Sequence, residues 1–599
     1  MIKYDNRRFP LSEKVKPGHS IKMVIDLISP LEKGNYMLEF DLLKEGLFWF
    51  KTRGFSTSTI NLKVKARPWP EDNFNLSLGY GAYTKFKSSL PELNKIAKSI
   101  RLTLSQNQLE FKGKTGKVRG FAAGSNYPQI WLRDANTIIP AARYFYGVDY
   151  LNSWLEEHLF LQKDNGSLYD WIDSHGQTDK NTTETDQEAS AVQAAFQVFE
   201  LVGPSWLKKP IRQVAIKQRL SRALDYVFSS RFNKKFGLIK GAHTPDWGDI
   251  DMIDQDQQAI YVDDKTHWTA DIYDQSMVYQ ACLNISQMFK AIGEEEKASF
   301  WLKKAKNIRI NTNKWLWQEN KGFYKIHLHL DSLQHNFNEN NILAVGGNTL
   351  AIISGLADSS KAARIIKQIV KRQKLYQVST ISATLLPPYP KNFFRHPMVD
   401  DPYEYQNGGQ WDWIGGRLIY AMFETGFSRL AKKKLMEIID KNINNRSFYE
   451  WDNRHGLGQG SQFFCGSAGS LSKAIYEGYF GLKWLRNGLN LEPKLGQDLA
   501  TIHVYFPANN IFVAYDYRYH NNPERIIMRY QSNYSHKGLI KLLSPWAKAE
   551  TSKKPTDLNL TVKIDGHQVD FSYQHQNNDL LIIINTDFKN HTLEVIKEN

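Results

Sequence analysis

The ten residues HTPDWGDIDM, at positions 243–252, place three carboxylates and an indole side by side. Asp246, Asp249 and Asp251 supply the carboxylates, and Trp247 lies between the first two. A carboxyl group can protonate a leaving oxygen or take a proton from water, and an aromatic ring can pack on the apolar face of a sugar. The overlapping run DIDMIDQDQQ alternates oxygen-bearing side chains, but it lacks the glycine and the terminal Glu of a calcium loop. The stretch therefore indicates acid–base chemistry on a sugar more than it indicates metal binding.

A second cluster, NYPQIWLRDANT, contains Trp131, Arg133 and Asp134. A guanidinium beside a carboxylate offers both donors and acceptors to adjacent sugar hydroxyls. The same pair would also arise if the aspartate capped a helix and the arginine paired with it. We expect these three residues to contact a substrate.

Three more clusters are rich in aromatic and polar side chains, and all five, including the opening stretch, are expected directly before helix starts. DNGSLYDWIDS and NTTETDQEAS contain Trp171 and Asp186, although Asp186 is equally a candidate N-cap. YEYQNGGQWDWIGGR contains four candidate substrate contacts, and RSFYEWDNRHGLGQGSQF contains a carboxylate next to an indole. The residues of these last two segments are Gln406, Asn407, Trp411 and Asp412, followed by Glu450 and Trp451.

The segments that must position these clusters have the period of helices. Amphipathic 3.6-residue patterns predict about twelve helices in six pairs between residues 92 and 482, among them one near 210–230 and one near 268–291. One set is rich in Gly, Ala and Ser, as in CGSAGSLSKAIYEGYFG, and the other is rich in Lys and Arg, as in SRLAKKKLMEIIDK. Small residues permit close packing inside and charged faces belong outside, so we predict a mainly α fold, an (α/α)6 toroid. An α-solenoid is the alternative, but no repeat of about 34 or 40 residues is evident.

Alternating apolar and polar residues predict β-structure on both sides of the helices. We expect an N-terminal β-sandwich module over residues 1–70, a linker over 71–90, the helical domain over 91–486 and a C-terminal β-sandwich over 487–599. In a toroid, the loops that enter the inner helices open at one end. The five clusters are therefore predicted to meet in one pocket.

Composition narrows the choice of partners. The 599-residue chain has 16 Trp and 29 Tyr, which suit large cores and sugar binding alike. Its net charge of +15 comes from dispersed Lys and Arg, and the sequence shows no recognised nucleic-acid module. It has no run of about 18 apolar residues that would span a membrane. No secretory signal is visible either, so we expect a cytoplasmic protein whose partner is an oligosaccharide or polysaccharide; nothing indicates its oligomeric state.

The sequence predicts no cofactor and no metal. Cys282 and Cys465 form neither a metal pattern nor a disulfide framework. KIHLHLDSLQH places His327 and His329 on one face of a strand-like segment, which we interpret as an exposed polar face. The segment GSAGS, residues 466–470, lacks the lysine of a phosphate-binding loop, so we expect its glycines to allow close helix packing.

Two resemblances connect these residues with known families. KGNYMLEFDLLKEGLFWF resembles a β-sandwich module of bacterial polysaccharide-assembly and glycosyltransferase proteins, which usually begins with a further strand or two, so we expect a shortened or truncated module here. The ordered set of the other motifs resembles the six-hairpin glycosidase superfamily. DWGD is similar to the DWND motif of inverting disaccharide phosphorylases, and YQNGGQW and FYEWD are similar to YHNGGSW and PEYYD of neutral/alkaline invertases. IWLRDA is similar to WLRDS of bacterial exo-α-mannosidases and to WPRDA of glucoamylases.

The resemblance implies roles for individual residues. It assigns the general acid to Asp249 and the general base to Glu450. It implies that Arg133 and Asp134 bind the hydroxyls of the terminal sugar, and that Asp246 and Trp247 make further sugar contacts.

The assignment of the acid leaves alternatives open. Asp246, Asp251 and Asp254 are the other candidates. Gly248 stands where the phosphorylases have Asn, and Tyr449 stands where the invertases have Pro, so the superfamily is better supported than any substrate.

The sequence therefore predicts an inverting, exo-acting glycoside hydrolase that removes a terminal, α-linked sugar of glucose or mannose type. A disaccharide phosphorylase, in which phosphate replaces the base, is one alternative. A non-catalytic glycan-binding protein of polysaccharide assembly is another. A polysaccharide lyase would require a Tyr/His pair, and no such spacing stands out.

Overall fold

A computed structural model of the chain describes residues 11, 14–24, 34–44, 48–64, 78–251, 260–333, 335–485, 488–534, 536–546 and 558–598. The chain forms two compact units, Met1–Leu76 and Ser77–Asn599. Asp254, one of the alternative acids, lies outside the described residues. In the part of the chain that is described, no helix combines the length and the apolar character needed to cross a membrane.

The first unit contains short antiparallel pairs and a 3-10 turn at Phe50–Arg53. Its described strands are β1 (Gly34–Phe40), β2 (Leu43–Lys44), β3 (Phe48–Trp49) and β4 (Ser58–Val64). β1 pairs with β4, and β2 pairs with β3. β1 alternates partly buried and exposed residues, as a strand with one covered face does.

The second unit contains twelve described α-helices, and each overlaps one of the predicted helical segments. They are α1 (Pro91–Gln106), α2 (Leu132–Ala142), α3 (Val148–Phe160), α4 (Gln187–Val202), α5 (Ile216–Ser230), α6 (Ile272–Ala291), α7 (Glu295–Trp315), α8 (Val345–Ile353), α9 (Ser359–Leu375), α10 (Asp412–Glu424), α11 (Ser428–Asn445) and α12 (Cys465–Lys473). A π-helical segment, Ala474–Tyr479, continues α12.

The even-numbered helices contact one another in a closed cycle, from α2 through α4, α6, α8 and α10 to α12 and back to α2. The odd-numbered helices pack against them, for example α3 and α5 against α4, and α11 against α10. Glycines permit the inner contacts, because a Cβ on Gly469 would clash with the Thr137 carbonyl of α2. A Cβ on Gly416 of α10 would lie 2.7 Å from the backbone of Ser470. This geometry agrees with the packing role expected for GSAGS.

Short strands shape the connections between the helices. They are β5 (Lys85–Ser88), β6 (Gln108–Lys112), β7 (Lys117–Phe121), β8 (Ile130–Trp131), β9 (Trp171–Ile172), β10 (Thr178–Asp179), β11 (Pro210–Ile211), β12 (Val214–Ala215), β13 (Phe232–Asn233), β14 (Leu238–Ile239), β15 (Gly241–Ala242), β16 (Trp268–Asp271), β17 (Trp317–Gln318), β18 (Phe323–Tyr324), β19 (His327–His329), β20 (Leu343–Ala344), β21 (Leu385–Leu386), β22 (Tyr449–Asp452) and β23 (Gly458–Gln462). Three of the small sheets support the candidate site: β10-β9-β8, β15-β16-β19 and β22-β23.

The C-terminal region forms two larger sheets. Its strands are β24 (Leu482–Leu485), β25 (Gly488–Leu491), β26 (Ala500–Phe506), β27 (Ile511–Asn521), β28 (Glu524–Ser532), β29 (Lys537–Leu543), β30 (Leu560–Ile564), β31 (His567–Gln568), β32 (Phe571–Gln576), β33 (Asp579–Asp587) and β34 (His591–Lys597). The five-stranded sheet has the order β24-β25-β29-β33-β32, and the seven-stranded sheet has the order β31-β30-β34-β28-β27-β26-β5. Tyr530 of one sheet and Thr586 of the other share a 2.6 Å hydrogen bond.

The ends of the helical domain differ from the predicted boundaries. Lys85–Ser88, within the predicted linker, forms β5 because it pairs in register with β26, Ser88 opposite Ala500. Leu482–Leu485, within the predicted helical domain, forms β24 and pairs with β25. The larger C-terminal sheet thus takes its edge strand from a segment that precedes the helices.

Candidate active site

The loops that precede inner helices lie side by side and hold one another. Asn181, before α4, donates from Nδ2 to the backbone oxygen of Asp249, before α6, at 2.9 Å. Tyr127, before α2, donates its hydroxyl to Glu450, before α12, at 2.7 Å. The first and last loops of the ring are therefore joined directly, and the two predicted catalytic carboxylates belong to the same group of loops.

Glu450 lies on β22 at an irregularity in the pairing with β23, between Tyr449 and Trp451. Bulges of this kind redirect a side chain. The carboxylate accepts Tyr127 Oη on Oε1 and the Ser461 backbone N–H on Oε2, at 2.7 and 3.0 Å. Gly460 leaves room for it, because a Cβ there would lie 2.6 Å from Oε2.

The pKa of Glu450 is raised by its surroundings. Burial raises this pKa to about 7, against the lowering effect of the hydrogen bonds from Ser461 and Tyr127. The negative charges of Asp134 and Asp249 raise it further. Glu450 therefore exchanges a proton near neutral pH, and both of its hydrogen-bonding partners donate to the carboxylate form.

Asp249 lies on the loop between β15 and β16 and is partly buried. Its Oδ1 is shielded from solvent and has no hydrogen-bond partner among the described residues. The charge of Asp249 raises the pKa of Glu450, of Glu184 and of Tyr405. These three groups, from different loops, therefore lie within electrostatic range of Asp249.

Arg133 bridges two carboxylates of the neighbouring loop. Its Nη1 lies 3.0 Å from Glu184 Oε1 and 3.5 Å from Asp186 Oδ2. Burial raises the pKa of Glu184 well above its usual value, and Arg133 opposes the rise while Asp186 adds to it. Glu184 was part of a predicted cluster but received no role from the sequence; its burial beside Asp249 is what the sequence did not reveal.

Asp134 and Asp186 both lie at helix starts. Burial raises the pKa of Asp134 to about 6, with Arg133 lowering it and Asp186 raising it. Asp186 directly precedes α4, but its side chain makes no capping hydrogen bond. It accepts the hydroxyl of Tyr273 at 3.0 Å instead, so it faces the inner ring rather than its own helix.

The predicted tryptophans divide into two groups. Trp131, Trp171 and Trp451 are partly exposed. Trp131 and Trp171 are opposite each other in β8 and β9, with ring centroids 6.2 Å apart. Trp247 and Trp411 are each 4% exposed and pack edge to face, so they form part of the wall.

Three predicted substrate contacts have their polar groups occupied within the protein. Asp246, in a left-handed conformation with φ 55°, accepts the Gly347 N–H at the start of α8 on both oxygens. Burial raises its pKa to about 7. Asn407 accepts the backbone N–H of Tyr389 at 2.8 Å. Asp412 is 1% exposed. It accepts Lys441 and Asn442 at 2.8 and 2.6 Å.

Gln406 differs from its neighbour. Its Oε1 is buried without a partner in the described part of the chain, and a Cβ on Gly248 would lie 3.1 Å from it. Glycine at 248 therefore lets the Asp249 loop lie directly against Gln406. This contact explains the departure from the DWND motif at that position.

The histidines of the segment KIHLHLDSLQH are not on an exposed face. The side chain of His327 is fully buried and that of His329 is 25% exposed. Both face Glu339 and His243, the first residue of the opening stretch. The expectation of a polar surface face was wrong, because a glutamate ten residues further along the chain covers this side of β19.

The comparisons with known proteins concern the family and the fold of the chain. The sequence model of the bacterial alpha-L-rhamnosidase six-hairpin glycosidase domain matches residues 83–382. No curated protein matches the chain. The solved structure of an α-L-rhamnosidase from Dictyoglumus thermophilum is 14% identical with a TM-score of 0.59, over 90% of this chain and 53% of that one. A GH78 family rhamnosidase of Bacillus sp. GL1 is 13% identical with a TM-score of 0.53, over 73% of this chain and 40% of that one.

The present chain thus spans about half the length, or less, of these two rhamnosidases. Because the sequence identity is so low, the similarity to these two structures shows a shared fold and nothing more. The family match covers half of the chain and includes the loops of Arg133, Glu184 and Asp249. The prediction of the six-hairpin glycosidase superfamily is therefore confirmed: the chain belongs to the family of the bacterial alpha-L-rhamnosidase six-hairpin glycosidase domain.

Proposed function

We propose that the protein is an inverting, exo-acting glycoside hydrolase that removes a terminal α-linked sugar. The observation that supports this proposal is the electrostatic interaction between Asp249 and Glu450, two carboxyl groups from loops about 200 positions apart. Hydrolysis with inversion needs an acid on one side of the glycosidic bond and a base on the other, about 6.5–9.5 Å apart.

The finer architecture belongs to the same proposal. The closed cycle of the even-numbered helices supports an (α/α)6 toroid, and the two large C-terminal sheets support a β-sandwich there. The N-terminal unit, with its β1–β4 pair, is proposed as the β-sandwich module. Loops that meet at one end of a toroid form a closed pocket, which suits the end of a sugar chain.

Glu450 is the proposed general base. Its partners, Tyr127 and the Ser461 backbone, both donate hydrogen bonds, so they orient a carboxylate and favour its charged form. The carboxylate takes a proton from a water molecule as that water attacks the anomeric carbon. A pKa of about 7 places this group close to neutral working pH.

Asp249 is the proposed general acid, which gives its proton to the departing glycosidic oxygen. No protein group of the described part of the chain hydrogen-bonds its Oδ1, so none competes with a substrate for that oxygen. Asp246 is proposed as a positioning residue, because Gly347 occupies its carboxylate. Glu184 is the competing acid, since burial raises its pKa well above the usual value and the charge of Asp249 adds to that rise.

The sugar itself is proposed from the pocket and the family. The partly exposed rings of Trp131, Trp171 and Trp451 offer stacking faces, and Arg133 with Asp134 offers donors and acceptors for hydroxyls. L-Rhamnose is 6-deoxy-L-mannose, the mirror-image series of D-mannose, so the family match supports rhamnosides independently of the predicted mannose type. We propose α-L-rhamnosides first, then α-mannosides and α-glucosides.

A panel of 4-nitrophenyl and 2,4-dinitrophenyl glycosides of these three sugars tests the function. We expect turnover of one sugar without added phosphate and, in proton NMR, a first product of inverted anomeric configuration. A requirement for phosphate would identify a phosphorylase instead. Saturable binding of the sugars with no turnover would identify a glycan-binding protein.

Tyr127→Phe is expected to move the acidic limb of kcat/KM to higher pH. The base works when deprotonated, so wild-type activity should be lost as the pH falls below about 7. The Tyr127 hydrogen bond lowers the pKa of Glu450, and its removal should raise that limb by up to about one pH unit. The measurement is kcat/KM against pH. Tyr505→Phe, which loses an exposed hydrogen bond to Asn510, is the control and should leave the limb in place.

A further inference from the structure

We propose that His243, His329 and Glu339 bind one divalent transition-metal ion of the Zn2+ type. One ligand atom from each residue lies within 4.8 Å of the ligand atoms of the other two residues. Among the described residues, this is the group of His, Cys, Asp and Glu side chains with that spacing. Two imidazoles and one carboxylate are a donor set that zinc favours. The sequence predicted no metal, because the three ligands come from segments that only the fold brings together.

Three separate segments deliver the ligands. His243 follows β15, His329 ends β19 on the other side of β16, and Glu339 begins a 3-10 turn, Glu339–Asn341. Glu339 accepts four groups: His243 Nε2 at 2.7 Å, His329 Nε2 at 2.6 Å, His327 Nδ1 at 3.1 Å and Tyr389 Oη at 2.5 Å. The carboxylate is the centre of this cluster.

The hydrogen bonds of the cluster need one more positive charge than its neutral side chains supply. Asp331 contacts His267 Nδ1, His267 Nε2 lies 2.8 Å from His329 Nδ1, and His329 Nε2 lies 2.6 Å from Glu339. Three contacts need three hydrogens, and two neutral imidazoles carry two. The third position must hold either an extra proton or a cation.

A metal ion at the last contact satisfies the whole chain. Asp331 then accepts from His267, His267 accepts from His329, and the free Nε2 of His329 faces the metal. A carboxylate or a second group that fixes the outer nitrogen of a ligand histidine is the usual support of a metal site. Tyr389 and His327 remain to hold the part of the Glu339 carboxylate that the metal does not use.

The dimensions also suit zinc. Bonds of about 2.0–2.1 Å in a tetrahedral site separate ligand atoms by about 3.3 Å. The contacts of 2.7 Å from His243 to Glu339 Oε1 and 2.6 Å from His329 to Oε2 must open by less than about 1 Å, and ligand atoms that now lie within 4.8 Å of one another must close around the ion. A cavity of about 670 Å3 borders His329 and Glu339, so water can supply a fourth ligand.

The metal would fix the start of the stretch that carries Asp249. His243 is six positions before Asp249, and a bond at His243 ties this loop to β19 and to the Glu339 turn. The site is separate from the proposed hydrolysis, since none of its ligands has a role there. Metal binding is therefore measured directly and without a sugar.

The experiment uses the full-length protein without a histidine tag, stripped with EDTA. Zn2+ is titrated against a chromophoric chelator, and Co2+ is added in parallel to record its visible absorption. We expect one equivalent of Zn2+ with a dissociation constant below about 1 µM and an intense tetrahedral Co2+ spectrum. Absence of both in the wild-type protein would overturn the proposal and leave the extra proton as the occupant.

Variants locate the site. His329→Ala and Glu339→Gln should each weaken Zn2+ binding by at least about 100-fold and abolish the Co2+ spectrum. His520→Ala, at an exposed position of β27, is the matched control and should bind as the wild type does. Equal binding in all four proteins would overturn the assignment, and the Co2+ spectrum of the wild type decides the case if a variant fails to fold.

Discussion

Glu450→Gln is expected to lower kcat by about 10³-fold on the sugar that the panel identifies. Glutamine keeps the shape of the side chain and can still accept the Ser461 N–H or the Tyr127 hydroxyl. It cannot take a proton from water, so the attacking nucleophile is not activated. KM should change little, because neither sugar stacking nor hydroxyl binding depends on this group. The measurement is kcat and KM for the 4-nitrophenyl and 2,4-dinitrophenyl glycosides.

The loss should be the same for both leaving groups, since the base acts on water and not on the departing oxygen. Glu319→Gln is the matched control, because its side chain is 79% exposed and should leave kcat unchanged. Thermal unfolding should be close to that of the wild type for both variants. A Glu450→Gln protein with kcat within about threefold of the wild type would remove Glu450 from the mechanism.

Asp249→Asn is expected to show a loss that depends on the leaving group. An alcohol or 4-nitrophenolate leaves with the help of a proton, so kcat/KM should fall by about 10³-fold for such substrates. 2,4-Dinitrophenolate leaves readily without a proton, so its glycoside should lose no more than about tenfold. The measurement is kcat/KM for both aryl glycosides of the same sugar. Asn keeps the size of the side chain, and the Asn181 bond goes to the backbone of residue 249.

Glu184→Gln distinguishes the two candidate acids. If Glu184 were the acid, this variant and not Asp249→Asn would show the leaving-group dependence. If it only pairs with Arg133, the loss should be equal for both glycosides. Asp440→Asn, at an exposed position of α11, is the control for an Asp-to-Asn change and should match the wild type.

The helices were predictable because each carries an apolar stripe that one packing face requires. The first residues of the helices were harder to predict where a strand directly precedes the helix. The predicted α5 began at 210, but Pro210–Ile211 pairs with Val214–Ala215 through Arg212 and Gln213 at positive φ. The predicted α6 began at 268, but Trp268–Asp271 pairs on both sides in a sheet. The first pair is a hairpin of two-residue strands, too short to show an alternating pattern, and the second pairs with distant strands that the local period does not reveal.

The position of a cluster relative to an inner helix was predictable, as for Arg133 at the start of α2 and for Glu450 on β22 ahead of α12. The sequence did not reveal which polar groups are held by hydrogen bonds or ion pairs within the protein. Asp412 reads as a sugar contact beside Trp411, yet its partner Lys441 comes from the next outer helix. The histidine cluster was missed for the same reason, since Glu339 determines the surroundings of His243 across 96 positions.

The hydrogen bond between Tyr127 and Glu450 joins residues 323 positions apart. During synthesis, the first loop must wait for almost the whole ring before its partner exists. Contacts of such long sequence separation form late, after local helices are in place. The proposed base is thus oriented only when the last hairpin docks against the first. We therefore expect partly synthesised or partly unfolded chains, in which the pocket is still open, to be inactive in hydrolysis.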